Sequence, residues 1–142
     1  MAKIRRSEGD VMAEVRVERT EDGFQAVNAR GARVAIGDGD TEGVFTPVEL
    51  LLAALGGCEL VTVEPLTAKR GHRMARLAAT VQADKIATSM LGTITITYDV
   101  ELPAGDDKAE DVLKAVAGRV HAKYCTVGSA LREPMKVEQV VP

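Results

Sequence analysis

Aromatic residues are nearly absent from this chain: two Phe, two Tyr and no Trp, 3% of the total. A core without large rings must be filled by Ala, Val, Leu and Ile, and the 46% hydrophobic content supplies them. Cysteine is as scarce, at two, which excludes a disulfide framework. A chain of 142 residues buries roughly 70% of its unfolded surface and needs no such staple. Neither sign of charge dominates. The net charge of −3 gives no electrostatic reason to expect nucleic acid or an anionic membrane as partner. The opening MAKIRRSEGD is charged and is not followed by the apolar core of a secretory signal. The longest apolar stretch, Leu50 to Cys58, is shorter than the about 20 residues of a bilayer span. These features together lead us to expect one cytoplasmic domain over residues 1–142, in a compartment that keeps thiols reduced.

Hydrophobic periodicity orders the elements. Val11, Ala13, Val15 and Val17 alternate with Glu14, Arg16 and Glu18, the period of a half-buried strand over Val11 to Arg19. Turn signals at Glu21-Asp22-Gly23 and Asn28-Ala29-Arg30-Gly31 set off strands at Phe24 to Asn28 and Arg33 to Ile36, an antiparallel meander. After a Gly- and Asp-rich loop, Thr46-Pro47-Val48-Glu49 opens a helix with a capping residue, Pro at the first position and Glu three residues on. This helix is apolar nearly all round from Leu50 to Leu55, which argues for burial in the protein or in an oligomer. Gly56-Gly57 suggests close approach of another backbone or a ligand. Pro65 is expected to kink the helix or end its first part, and Lys69-Arg70 before Gly71 fits its end. Leu77 to Ala83 and Gly92 to Leu102 read as strands, Asp107 to Lys123 as an amphipathic helix, Thr126 to Leu131 as a helical turn and Pro134 to Val141 as a closing strand. The order is an α+β pattern.

The chemistry rests on the cysteines. Cys58 and Cys125 are a redox pair, a metal pair or two small core residues, since free Cys is among the most buried types. A reactive thiol needs a cation or a helix N-terminus nearby. Cys58 lies about three turns into its helix, so an Arg or Lys from elsewhere would have to activate it. His121 precedes Cys125 by one helical turn, where His⁺ would stabilise a thiolate, but a helix-terminal His beside a buried Cys is the preferred reading. His72 would complete a Cys2His2 set, but no CxxC or HxxxH pair supports zinc. There is no esterase elbow and no phosphate-binding loop. Gly37-Asp38-Gly39-Asp40 lacks the spacing of a calcium loop and reads as a solvated turn.

The two cysteine segments together resemble the OsmC/Ohr family of osmotically induced and organic-hydroperoxide-resistance proteins. TPVELLLAALGGC is similar to the family's P-x-E-L-L-x-A-A-x-x-x-C helix. Cys125-Thr126-Val127-Gly128-Ser129-Ala130-Leu131 is similar to its C-P-V-S-x-x-L, with Thr126 for Pro and Gly128 for Ser. The spacing of the cysteines and the element order fit as well. The resemblance implies an α+β OsmC-like fold, antiparallel sheets around two central helices, in an intertwined homodimer with two interface sites. It implies that Cys58 attacks an organic hydroperoxide and that Cys125 resolves the sulfenic acid as a disulfide. A dithiol reductant would then restore the pair, with no cofactor, metal, nucleic acid or membrane involved. The family's best-defined peroxidases carry a glutamate ten residues before the first cysteine, where this chain has Val48. Glu49 is one residue closer, about 100° around the helix. Arg19 best matches the activating arginine, ahead of Arg16 and Arg30. The Leu55-Gly56-Gly57-Cys58 run resembles a broader OsmC-like branch.

The leading expectation is a thiol peroxidase with an apolar pocket at Leu51, Leu55 and Phe24 or Phe45, preferring alkyl hydroperoxides. Beside it stand a ligand-binding or stress protein of the same fold with little catalysis, and a redox sensor using the same disulfide.

Overall fold

The computed structural model describes residues 13–142. They form a mixed α+β structure with two antiparallel sheets and three α-helices. The chain divides into two compact units, the first ending at Glu49 and the second running from Leu50 to Pro142.

The first unit holds strands β1 (Arg16–Arg19), β2 (Phe24–Val27) and β3 (Arg33–Ile36) in the order β1-β2-β3. The expected meander is present; Val11, at the start of the expected first strand, lies outside the described residues. Asn28 builds the second turn, its Oδ1 accepting from the N–H groups of Arg30 and Ala32 at 3.0 and 2.9 Å. Gly31 completes it at φ +90°, a conformation that costs other residues more than glycine. No side chain of this sheet belongs to the buried core. Val15, Val17, Phe24 and Phe45 are exposed. The unit ends in a capping box: Glu49 N–H donates to Thr46 Oγ1 at 3.1 Å, and Thr46 N–H donates to Glu49 Oε1 at 2.8 Å.

That box starts helix α1 (Pro47–Lys69), whose body belongs to the second unit. Strands β4 (Arg76–Ala87) and β5 (Met90–Glu101) follow as one long hairpin, then helices α2 (Ala109–Arg119) and α3 (Thr126–Arg132). The inner face of the hairpin pairs Leu77 with Val100, Ala79 with Tyr98, Val81 with Ile96 and Ala83 with Ile94. The outer face of β5 carries Thr93, Thr95, Thr97 and Asp99, all exposed. The period of two is thus realised as one apolar and one solvated face. Leu55, Val63, Met74, Leu113, Val116, Val120 and Cys125 form the buried cluster, with the hairpin's inner residues packed against it.

Four differences from the sequence reading stand out. Helix α1 runs through Pro65 without a break to Lys69. At 23 residues it is long and apolar enough to cross a bilayer by length and composition, so the shortness of Leu50 to Cys58 does not decide that question. Its buried residues Leu55, Glu59, Val63 and Thr67 recur every four positions and make one stripe, the pattern of a core helix. Second, β4 and β5 extend past the expected strands and meet at a two-residue turn, Thr88-Ser89. Third, α2 stops at Arg119, and Val120–Tyr124 continue as a π turn. Fourth, Pro134 to Val141 is not a strand. Its alternation is real, but no described strand pairs with it, and Val137 is 85% exposed. A lone extended segment has no ladder to close.

Candidate active site

Helix α1 carries Cys58 half-buried, on the side that packs against the core. Cys125 follows the π turn and is fully buried. Its N–H donates to the Val120 carbonyl at 2.9 Å. Its sulfur caps α3, accepting from Gly128 N–H at 3.3 Å. The Cys58 thiol is near enough to act on the proton affinity of Cys125. Burial pushes the Cys125 thiol above its ordinary 9.0. The Gly128 N–H opposes that rise, while the Cys58 thiol and the Glu59 charge add to it. The pair is therefore unequal: one sulfur is partly accessible, the other enclosed and holding its proton.

Beside Cys58 is a residue that the sequence reading passed over. Glu59 is only 2% exposed, and both of its carboxylate oxygens are engaged. Oε1 accepts from the Tyr98 hydroxyl at 2.9 Å. Oε2 lies 2.7 Å from His121 Nδ1. Tyr98 reaches it from β5 and His121 from the π turn, so three elements meet on one carboxylate. Burial raises the Tyr98 hydroxyl above its ordinary 10.0, and the Glu59 hydrogen bond and charge reinforce the rise. The only advance sign of this network was an acid directly after the cysteine in an apolar helix.

The same observation revises how His121 stands to Cys125: the two are not α-helical neighbours, and Nδ1 is not on the sulfur. The π turn removes α-helical spacing between them, and the imidazole Nδ1 goes to Glu59 instead. His72 lies elsewhere: its Nδ1 is 2.6 Å from Asp106 Oδ2, in the loops after α1 and before α2. Glu49 is in the capping box at the start of α1. Arg19 is the exposed last residue of β1, in register with Phe24. Arg16 is bonded to Glu18 at 3.3 Å.

A cavity of about 270 Å³ is lined by Leu55, Ile94, Ile96, His121, Leu131 and Arg132 among others. Gly128 is in its wall. A Cβ there would stand 3.1 Å from Cys125 Sγ and 3.3 Å from Arg132 Nη1. The bare glycine, where the family motif has Ser, thus leaves room between sulfur and guanidinium. Arg132 is held by the His121 carbonyl, to which its Nη2 donates at 2.9 Å. Of the expected pocket residues, Leu55 lines this cavity, whereas Phe24 and Phe45 belong to the first unit. Gly56 is buried against Val81, whose Cγ2 would lie 2.8 Å from an added Cβ, while nothing lies within 4 Å at Gly57. Close approach holds for the first glycine only, and a side chain supplies it.

An OsmC-like protein family model matches residues 37–140. Uncharacterized proteins of Mycobacterium tuberculosis and Mycobacterium bovis are 30% identical over 123 residues, covering 85% of this chain and 90% of theirs. Among solved structures, an OsmC-like protein from Mycoplasma pneumoniae superposes with a TM-score of 0.66 at 17% identity, over 87% of this chain and 89% of that one. A hypothetical protein from Aquifex aeolicus superposes with a TM-score of 0.69 at 21% identity, over 85% and 87%. The structural matches agree on the fold, and the family model spans both cysteine motifs. The chain belongs to the OsmC-like family.

Proposed function

We propose that the protein is a thiol-dependent peroxidase that reduces small organic hydroperoxides. The observation that supports this reading is the unequal exposure of the two thiols, Cys58 half-buried and Cys125 buried, with a cavity lined by Leu55, Ile94, Ile96 and Leu131 whose wall includes Gly128, the residue that donates to the Cys125 sulfur. The Cys58 thiolate attacks the outer peroxide oxygen, the O–O bond breaks, and the alkoxide leaves as an alcohol. Cys58 becomes a sulfenic acid, Cys125 displaces its oxygen as water, and a dithiol reductant reopens the disulfide. Leu55, Ile94, Ile96 and Leu131 favour an alkyl body over hydrogen peroxide, which gains nothing from an apolar wall. Arg19 serves as the activating cation that the family resemblance assigns, and Glu49 contributes by fixing the start of α1. Both units work as one domain of a cytoplasmic homodimer. The test is turnover of cumene hydroperoxide with a dithiol. Cys58→Ser should abolish it, and Cys125→Ser should leave a sulfenic acid that dimedone traps. Full peroxidase rate in Cys58→Ser would remove the reading.

A second reading is a ligand-binding protein with little catalysis. It is favoured by Val48 where the family's peroxidases have glutamate, and by the engagement of the Glu49 carboxylate in the helix cap. An apolar ligand that raises the melting temperature, with no hydroperoxide consumed, would support it.

A further inference from the structure

The Glu59–His121 contact joins the two cysteine segments at 2.7 Å, and the Glu59 charge acts on the Cys125 thiol. Glu59 is the residue after Cys58, and His121 opens the π turn that delivers Cys125. A buried carboxylate is costly unless its oxygens are paired. Here both oxygens are satisfied, and the imidazole partner is 56% exposed and lines the cavity. With Nδ1 on the carboxylate, Nε2 is the nitrogen left free, the arrangement by which an acid orients a histidine for proton transfer.

We propose that Glu59 and His121 act as the proton-handling pair of disulfide closure, a role that rests on the peroxidase reading for its physiological oxidant. In this step His121 Nε2 takes the proton of Cys125, directly or through one water. The Cys125 sulfur supplies the electron pair of the new S–S bond, the S–O bond of the Cys58 sulfenic acid breaks, and the departing hydroxide takes the proton from the imidazolium. One water is released, with no net proton change. The Cys125 sulfur is oxidised and the Cys58 sulfur reduced. Glu59 is a positioning residue: it fixes the tautomer and stabilises the transient imidazolium. The need for such a pair follows from the enclosure of Cys125, whose thiol burial holds protonated. The other ionisable groups around it are Tyr98 from β5, Cys58 from α1 and Arg132 from α3.

The test separates closure from oxidation in the full-length protein. After one equivalent of cumene hydroperoxide, rapid quench and mass measurement follow the sulfenic acid and the disulfide as a function of pH. In Glu59→Gln and in His121→Asn, the ratio of closure rate to Cys58 oxidation rate should fall at least about tenfold. Closure should also become steeper with pH, approaching tenfold per unit, because only thiolate formed by solvent then reacts. His121 is exposed enough that its variant keeps the inquiry open if Glu59→Gln fails to fold. Parallel loss of both rates with the original pH slope would reduce the pair to a structural clamp and overturn the proposal. The same closure is also driven by diamide, where Cys125 displaces the reduced diamide from Cys58. If the wild type ignores hydroperoxide, the peroxidase reading falls. The diamide arm still decides the role of Glu59 and His121 by the same pH slope.

Discussion

In the proposed peroxidase reading, the division of labour between the cysteines comes down to exposure. Both are cysteines in apolar surroundings, yet Cys58 is half-buried and Cys125 fully enclosed, which fits the first for attack and the second for resolution. The enclosed thiol also has a consequence for stability. The folded chain holds the Cys125 proton above the ordinary 9.0, while the unfolded chain releases it there. The favourable contribution is therefore complete below pH 9.0 and is lost as pH rises through the folded value. Tyr98 acts in the same sense above its ordinary 10.0. Denaturant midpoints should fall as pH rises above 9.0, and Cys125→Ala should flatten that fall. An unchanged slope in the variant would mean that the thiol does not contribute. Both cysteines were legible in the sequence, because each stands in a motif. Glu59 was not, because its meaning depends on Tyr98 and His121, 39 and 62 residues away, and one acid in an apolar helix does not name its partners.

Elements were legible where local chemistry sets them. The capping box, the Asn28 turn and the alternation of β5 are short-range patterns, and each appears as read. Elements that depend on a distant partner were not. The tail from Pro134 to Val141 alternates like a strand yet has none to pair with among the described residues. The double glycine of α1 looked like one feature and is two. Gly56 has Val81 against it, and Gly57 faces open space. Gly56→Ala should therefore destabilise by about 1–3 kcal/mol through overpacking. Gly57→Ala should stabilise by up to about 1 kcal/mol through helix propensity. Chemical denaturation of the two variants checks both signs, and equal destabilisation would contradict the assignment.

At the scale of the molecule, the second unit has a buried core and the small sheet of the first has none. Apolar side chains remain uncovered on both: Val15 and Val17 in the first, Val61 at 75% exposure on α1, and Val137, Val140 and Val141 in the tail. The proposed homodimer would cover part of this surface. Sedimentation should give a dimer, and Val61→Lys should shift it toward monomer; a wild-type monomer at micromolar concentration would remove that proposal. The family was legible before the fold because two short motifs carry it, whereas the activity depends on contacts that no motif records. The central claim is thiol peroxidase chemistry, and consumption of cumene hydroperoxide by the purified chain with a dithiol tests it most directly. A thiol peroxidase gives many turnovers per chain, lost in Cys58→Ser. Absence of turnover, with both thiols still titratable, would contradict it and leave a fold retained for binding.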